Sequence, residues 1–275
     1  MARLAVGIEY DGGCYHGWQT QPSAPTVQSL VEQALAVVAD RPVASTCAGR
    51  TDAGVHAAGQ VAHFDTAVRR PASAWLLGAN SALPADISLR WVMPVPEHFH
   101  ARYSALSRCY RYWILNRRAR SALCAGRAWN VHRPLDAAAM QAAATLLLGE
   151  HDFSAFRAAE CQAHSPVRHV SEARVTRQRD WLCVQLRANA FLHHMVRNIV
   201  GLLVAVGRGE RSPDHAQAVL RGLDRRLGEA TAPAQGLYLW QVEYPPQFGL
   251  PNEIDDVSAM IDARMPEPSA RRKSD

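Results

Sequence analysis

Along residues 3–95 the spacing of apolar residues alternates between a period of two and a period near 3.6, and that order constrains the fold more than any other feature. Residues 3–10, RLAVGIEY, place Leu4, Val6, Ile8 and Tyr10 on one face, as a half-buried strand requires. After a Gly- and Pro-rich loop, Thr26 is placed to cap a helix whose stripe is Val27, Leu30, Val31, Ala34 and Val38. Residues 43–48 and 58–66 read as strands, 71–83 as a helix with Pro71 in its first turn, and 86–95 as a strand. Strand, helix, strand, strand, helix, strand is the order of a ferredoxin-like unit, an antiparallel sheet with helices on one face.

A second α+β half is expected from about residue 101 to 247. It reads as a strand at 108–115, a helix at 137–148 capped by Asp136, and strands at 168–177 and 181–188. A strongly apolar helix from Phe191 to Val206, a short helix at 213–222 and a closing strand at 237–244 follow. The division is therefore an N-terminal half, 1–100, a C-terminal half, 101–247, and a tail, 248–275, whose prolines and mixed charges suggest fraying from Pro245 onward.

Charge adds a partner class. The formal net charge is +5, and residues 1–247 hold 26 basic against 19 acidic groups. Of the thirty basic residues only Lys273 is lysine. A compositional bias that also enriches alanine accounts for this, and guanidinium forks also match phosphate oxygens. Arg102, Arg108, Arg111, Arg117, Arg118 and Arg120 form the densest basic stretch, with Arg168, Arg174, Arg177 and Arg179 a second. Such runs are solvated faces or phosphate contacts. The six cysteines show no C-x-x-C pair, no charge-free run is long enough to cross a bilayer, and no secretory leader is expected. A reduced, cytoplasmic protein is the simplest expectation.

The chemistry concentrates in CAGRTDAGVHA, residues 47–57. TDAG alone is a turn, with Asp52 folded onto its own backbone and Gly54 supplying positive φ. Arg50 changes the balance, because it can keep Asp52 ionised or bind a phosphate beside it. An ionised carboxylate serves as nucleophile or general base. Arg197 stands among Met195, Val196, Ile199, Leu202 and Leu203, so its charge needs a partner. Tyr110, on an alternating aromatic strand, is a core residue or a platform for a flat ligand. His98-x-His100 and His193-His194 are the only close histidine groupings, neither is joined in sequence by a Cys or carboxylate cluster, and no metal is expected. No glycine-rich nucleotide motif appears.

GRTDAGVHA resembles the catalytic loop of the tRNA pseudouridine synthase A family. YDGGCYHGWQTQ (10–21), SRCYRY (107–112), FLHHMVRNIVG (191–201) and APAQGLYL (232–239) are similar to four further motifs of that family, in the same order. The resemblance implies two α+β halves whose sheets join around a cleft, and isomerisation of uridine to pseudouridine at positions 38 to 40 of transfer RNA. It also implies a homodimer without metal or organic cofactor. By position it makes Asp52 the essential aspartate, Tyr110 the tyrosine on the target base and Arg197 the partner of the aspartate. Arg50, His56 and Gln19 are expected to touch substrate, and His16, Trp18 and Gln21 stand in the same N-terminal loop. No role is attached to His193, His194 or Cys109. Two other classes stay open: an RNA-binding module with an inactive site, and a carboxylate-dependent hydrolase of another nucleic acid.

Overall fold

The structure is a computed structural model, and it describes residues 1–251. The first half is laid out as expected: β1 (Ala2–Tyr10), α1 (Val27–Ala39), β2 (Ser45–Cys47), β3 (His56–Thr66), α2 (Ala72–Ala82) and β4 (Ile87–Val95). Thr26 caps α1 by accepting from the Ser29 N–H, and Val27, Val31, Ala34, Leu35 and Val38 are its buried stripe. The second half runs β5 (Ser107–Asn116), β6 (Trp129–Val131), α3 (Ala137–Thr145), β7 (Gly149–Asp152), β8 (Val167–Gln178), β9 (Trp181–Ala188), α4 (Met195–Gly207), α5 (His215–Gly222) and β10 (Leu237–Glu243). Asp136 caps α3 through the N–H groups of Ala138 and Ala139, at 2.8 and 3.0 Å. The strands β6 and β7 were not expected; three and four residues are too short to show a period.

All ten strands of the described residues belong to one sheet, in the order β4-β1-β3-β10-β5-β9-β8-β7, with β2 on β3 and β6 on β5. One edge of β3 pairs with β1. The other edge is therefore divided between β2, at Ala62–Phe64, and β10, at His56 and Ala57. The last strand of the second half thus joins the halves, parallel to β3 and antiparallel to β5. The expectation of purely antiparallel sheets is corrected at two places, β10 with β3 and β6 with β5. Between the stretches claimed by β2 and β10 the chain from Ala48 to Val55 leaves the sheet as a loop.

Strand alternation sorts side chains to two sides. Tyr110, Tyr112 and Ile114 enter the main core, to which every helix contributes. Cys109, Trp113 and Leu115 join two small clusters, with Trp240 and with Trp181 and Cys183, that contain no helix residue. Two expected phosphate contacts are structural for this reason. Arg111 lies 4.0 Å over the Trp240 ring and bonds Gln185, and Arg177 donates to Asn116 Oδ1 and the Leu135 carbonyl.

The described start of the expected tail is packed. Pro246–Phe248 forms a turn that buries Phe248 against Phe99, ring centroids 5.1 Å apart. Residues 252–275, the rest of the expected tail, lie outside the described residues.

His63, on β3, carries a testable consequence. Burial lowers its pKa to about 4, and Arg3 and His100 push the same way against a smaller opposing effect of Asp65. An unfolded His63 takes up its proton near the ordinary value of about 6.5. Between these values the unfolded chain binds more protons, so stability is lost as pH falls from about 6.5 to about 4. His100, also lowered by burial, adds with the same sign. His63→Asn keeps an acceptor for the Ala101 N–H, which now bonds Nδ1 at 3.2 Å, and does not titrate. The midpoint of thermal unfolding should fall across this range in the native protein and less steeply in the variant. Parallel curves would mean that His63 does not contribute.

Candidate active site

The loop at residues 48–55 is fixed by its backbone, which leaves one carboxylate free to act. The Ala48 N–H bonds the Val61 carbonyl at 2.7 Å, and the Gln60 side chain donates to the Gly49 carbonyl at 2.6 Å. Thr51 is buried, with its hydroxyl 2.8 Å from Tyr10 Oη and its carbonyl accepting from the Trp18 N–H. Asp52 O accepts from the Val55 N–H at 3.1 Å, closing a turn in which Gly54 has φ +75°. Gly17, at φ +86°, lets the N-terminal loop lie against this turn, since a Cβ there would stand 2.5 Å from the Thr51 carbonyl oxygen. The turn is therefore real, but the Asp52 side chain takes no part in it.

Instead Asp52 meets three groups from the other half. Its Oδ2 lies 3.5 Å from Arg197 Nη1 and 3.3 Å from His194 Nε2, and its Oδ1 lies 3.3 Å from His193 Nε2. The Asp52 side chain keeps 26% of its exposure and Arg197 keeps 16%, so the pair is partly shielded and still reachable. Arg197 is itself aimed: its Nε donates to the Ala232 carbonyl at 2.8 Å, and the Ala232 N–H returns a bond to the Arg197 carbonyl. That strap continues to Pro233, whose carbonyl accepts from the Tyr112 hydroxyl at 2.7 Å.

A buried guanidinium joins the two sides. Arg108, expected at the RNA surface, is 8% exposed and donates to the carbonyls of Ala48 and Asn189 at 3.0 and 2.9 Å. It ties the start of the Asp52 loop to the turn that leads to α4. Burial lowers its pKa, but an arginine keeps its charge.

Tyr110 stands beside this group. It is 8% exposed, packs edge-on to Phe191 with centroids 5.0 Å apart, and a Cβ on Gly49 would lie 3.7 Å from its hydroxyl. Among the described residues its hydroxyl has no hydrogen-bond partner. Burial raises its pKa well above the ordinary phenol range, so it is a neutral ring.

The remaining expected contacts separate. Arg50 is exposed and makes no hydrogen bond or ion pair with a described residue, so of its two readings, a partner of Asp52 or a phosphate contact, the first is not seen. Arg50 and Arg102 both flank the buried Cys47 thiol, whose pKa burial raises to about 11 against their opposing pull. Both are exposed at the edge of the loop, and the Arg102 guanidinium lies 5.7 Å over the Tyr103 ring. Gln19 and Gln21 are exposed, whereas Trp18 is 1% exposed and belongs to the core. His56 is corrected: it is 1% exposed and stacks on Tyr238 at 4.6 Å. Its Nε2 faces the carbonyls of Gly126 and Gln235, and its Nδ1 lies 3.0 Å from both the Gly12 N–H and Asp11 Oδ1. Asp11 is held below the usual carboxylate range, chiefly by His56, and also pairs with Arg127 at 2.9 Å. His56 fastens the halves together instead of facing a ligand.

His193 and His194 were missed. The apolar run suggests a helix from Phe191, but α4 starts at Met195, and His194 before it has φ +61°. The sequence gives no sign of that break, and Asp52 is far away along the chain. Asp52, His193 and His194 offer ligand atoms within 4.8 Å of one another, which could hold a metal ion. The Arg197 guanidinium at the same carboxylate adds fixed positive charge that opposes a cation.

What the site offers is a carboxylate from one half, a guanidinium and two imidazoles from the other, and a neutral phenol alongside. Comparison with known proteins gives the same family as the motifs. A family model described as tRNA pseudouridine synthase matches residues 7–104 and 143–245. A protein of Coxiella burnetii named tRNA pseudouridine synthase A is 55% identical over 251 residues, covering 91% of this chain and 96% of that protein. One of the same name from Vibrio cholerae is 52% identical over 249 residues, 90% and 94% of the two chains. Another from Methylococcus capsulatus is 52% identical over 266 residues, 97% and 98%.

Proposed function

We propose that this chain, which belongs to the tRNA pseudouridine synthase family, isomerises uridine to pseudouridine in the anticodon arm of transfer RNA, at positions 38 to 40. The observation that carries this reading is the Asp52 carboxylate, presented by one half and held by Arg197 of the other at 3.5 Å.

Isomerisation moves the glycosidic bond from N1 to C5 of the same base. No atom is gained and no electron is transferred, so side chains suffice. The uracil leaves C1′, turns and rejoins through C5, then loses the C5 proton while N1 gains one. Asp52 attacks C1′, adds to C6 or removes the C2′ proton, and each route uses the ionised form. Arg197 faces one of the Asp52 oxygens at 3.5 Å. Tyr110 and Phe191 provide an aromatic wall for the detached base, which must also leave its stack at a cost of a few kcal/mol. Arg50 and Arg102, exposed beside the loop, take phosphates of the arm, and Gln19 is a further contact at its edge.

The order β4-β1-β3-β2 supports a ferredoxin-like first half, and a second half of similar character continues the same sheet. In this reading the cleft lies where the Asp52 loop faces the turn before α4. The enzyme acts as a homodimer in the cytoplasm; six free cysteines suit a reducing compartment. Among the described residues no helix is long and apolar enough to cross a membrane.

Release of tritium from C5-labelled transfer RNA tests the reaction, with no free base and no strand cut. Added chelator should leave the rate unchanged. Binding without release would mean an RNA-binding module, and free base or cleaved strand would mean a hydrolase.

A further inference from the structure

Two consecutive imidazoles contact the two oxygens of one carboxylate, which regular backbone does not allow. Successive side chains point to opposite faces of a strand and lie about 100° apart around a helix. Here the chain breaks between them and α4. His194 adopts the left-handed conformation at φ +61° and ψ +1°, and the two rings lie side by side with centroids 4.1 Å apart and planes at 38°. His193 Nε2 is 3.3 Å from Asp52 Oδ1, and His194 Nε2 is 3.3 Å from Oδ2.

We propose that His193 and His194 are positioning residues of the isomerase, each setting its Nε2 edge against one oxygen of Asp52 and so fixing the plane of the reacting carboxylate. This rests on the isomerase reading and adds to it the pair that aims the carboxylate.

Arg197 alone does not fix that plane. It reaches only Oδ2, through one nitrogen at 3.5 Å, and its Nε is occupied by the Ala232 carbonyl. A carboxylate held at one oxygen still turns about its Cβ–Cγ bond. Held at both, it has one orientation. A neutral His194 adds no further cation beside Arg197. Burial lowers the pKa of His194, and His193 and Arg197 add to that, against the pull of Asp52. His194 also makes no side-chain capping bond to α4. A non-glycine residue in the left-handed region is strained. A glycine would relieve that strain, so an imidazole here points to a function that local stability does not require.

Single-turnover tritium release from labelled transfer RNA tests this, with thermal unfolding measured on the same proteins. The wild-type enzyme is assayed first; absence of release there defeats the isomerase reading and this proposal with it. His193→Ala and His194→Ala should each lower the rate constant of the chemical step about tenfold, with RNA affinity within twofold of wild type. Gln places an amide N–H near the Nε2 position, so His193→Gln and His194→Gln should recover most of the loss. His194→Gly should also lose about tenfold in rate, yet unfold at an equal or higher temperature. The proposal is overturned if the Ala variants turn over normally, if Gln does no better than Ala, if only RNA affinity changes, or if His194→Gly loses stability and rate together.

Discussion

Replacing Asp52 by asparagine is expected to lower the rate of tritium release at least about 10³-fold, a barrier increase of about 4 kcal/mol, because the reacting group itself is removed. Asparagine is nearly the same size and keeps one acceptor oxygen. Its amide nitrogen, however, would face either His193 Nε2 in the place of Oδ1, or Arg197 Nη1 and His194 Nε2 in the place of Oδ2. The fold should tolerate this, since Asp52 anchors its turn through its backbone carbonyl and not through its side chain. Affinity for transfer RNA should stay within a few-fold, or rise slightly, because a negative charge is lost beside a polyanion. Retention of RNA binding with loss of release separates a chemical role from a structural one. Normal release by Asp52→Asn would remove Asp52 as the catalytic group.

How far the chain could be read in advance followed from the range of the interactions. α1 and β1 were legible because their signals are local: a Thr26 cap, a helical stripe and an alternating Leu4-Val6-Ile8-Tyr10. The pairing of β10 with β3 was not, because nothing in LYLWQVE specifies a partner that begins at His56. The Asp52 turn was visible in TDAG, and Arg197 in the isolation of its charge on an apolar helix. His56 was misassigned because its nearness to Asp52 in the motif was taken as nearness to ligand. Alternation turns His56 inward at the start of β3, and the Gly17 turn brings the Trp18 backbone against Thr51 and buries its ring. His193 and His194 fell inside an apolar run with good helical spacing, and one left-handed residue altered where both rings go. Arg108 looked like its neighbours in a basic stretch, and only the position of β5 between β10 and β9 shows that its side chain is enclosed.

Arg197→Met is the second large effect, and it should appear in two measurements at once. The side chain has two tasks: Nη1 faces Asp52 Oδ2 at 3.5 Å, and Nε donates to the Ala232 carbonyl at 2.8 Å. Methionine fills much of the volume and does neither. Loss of a charged partner for the reacting carboxylate should lower the rate of tritium release about 100-fold, near the upper end of about 1.5–3 kcal/mol for a hydrogen bond to a charged group. The Ala232 carbonyl, left without its donor on a buried residue, should lower unfolding stability by about 1–3 kcal/mol. Arg197→Lys separates the tasks. A lysine keeps the positive charge but not the planar fork, so it can serve the carboxylate or the carbonyl and not both. It should therefore recover part of the rate or part of the stability, and leave the other near the methionine value. A lysine variant equal to wild type in both would show that charge alone suffices. A methionine variant with wild-type turnover would remove Arg197 from the chemistry and leave it only as the anchor of the Ala232 strap.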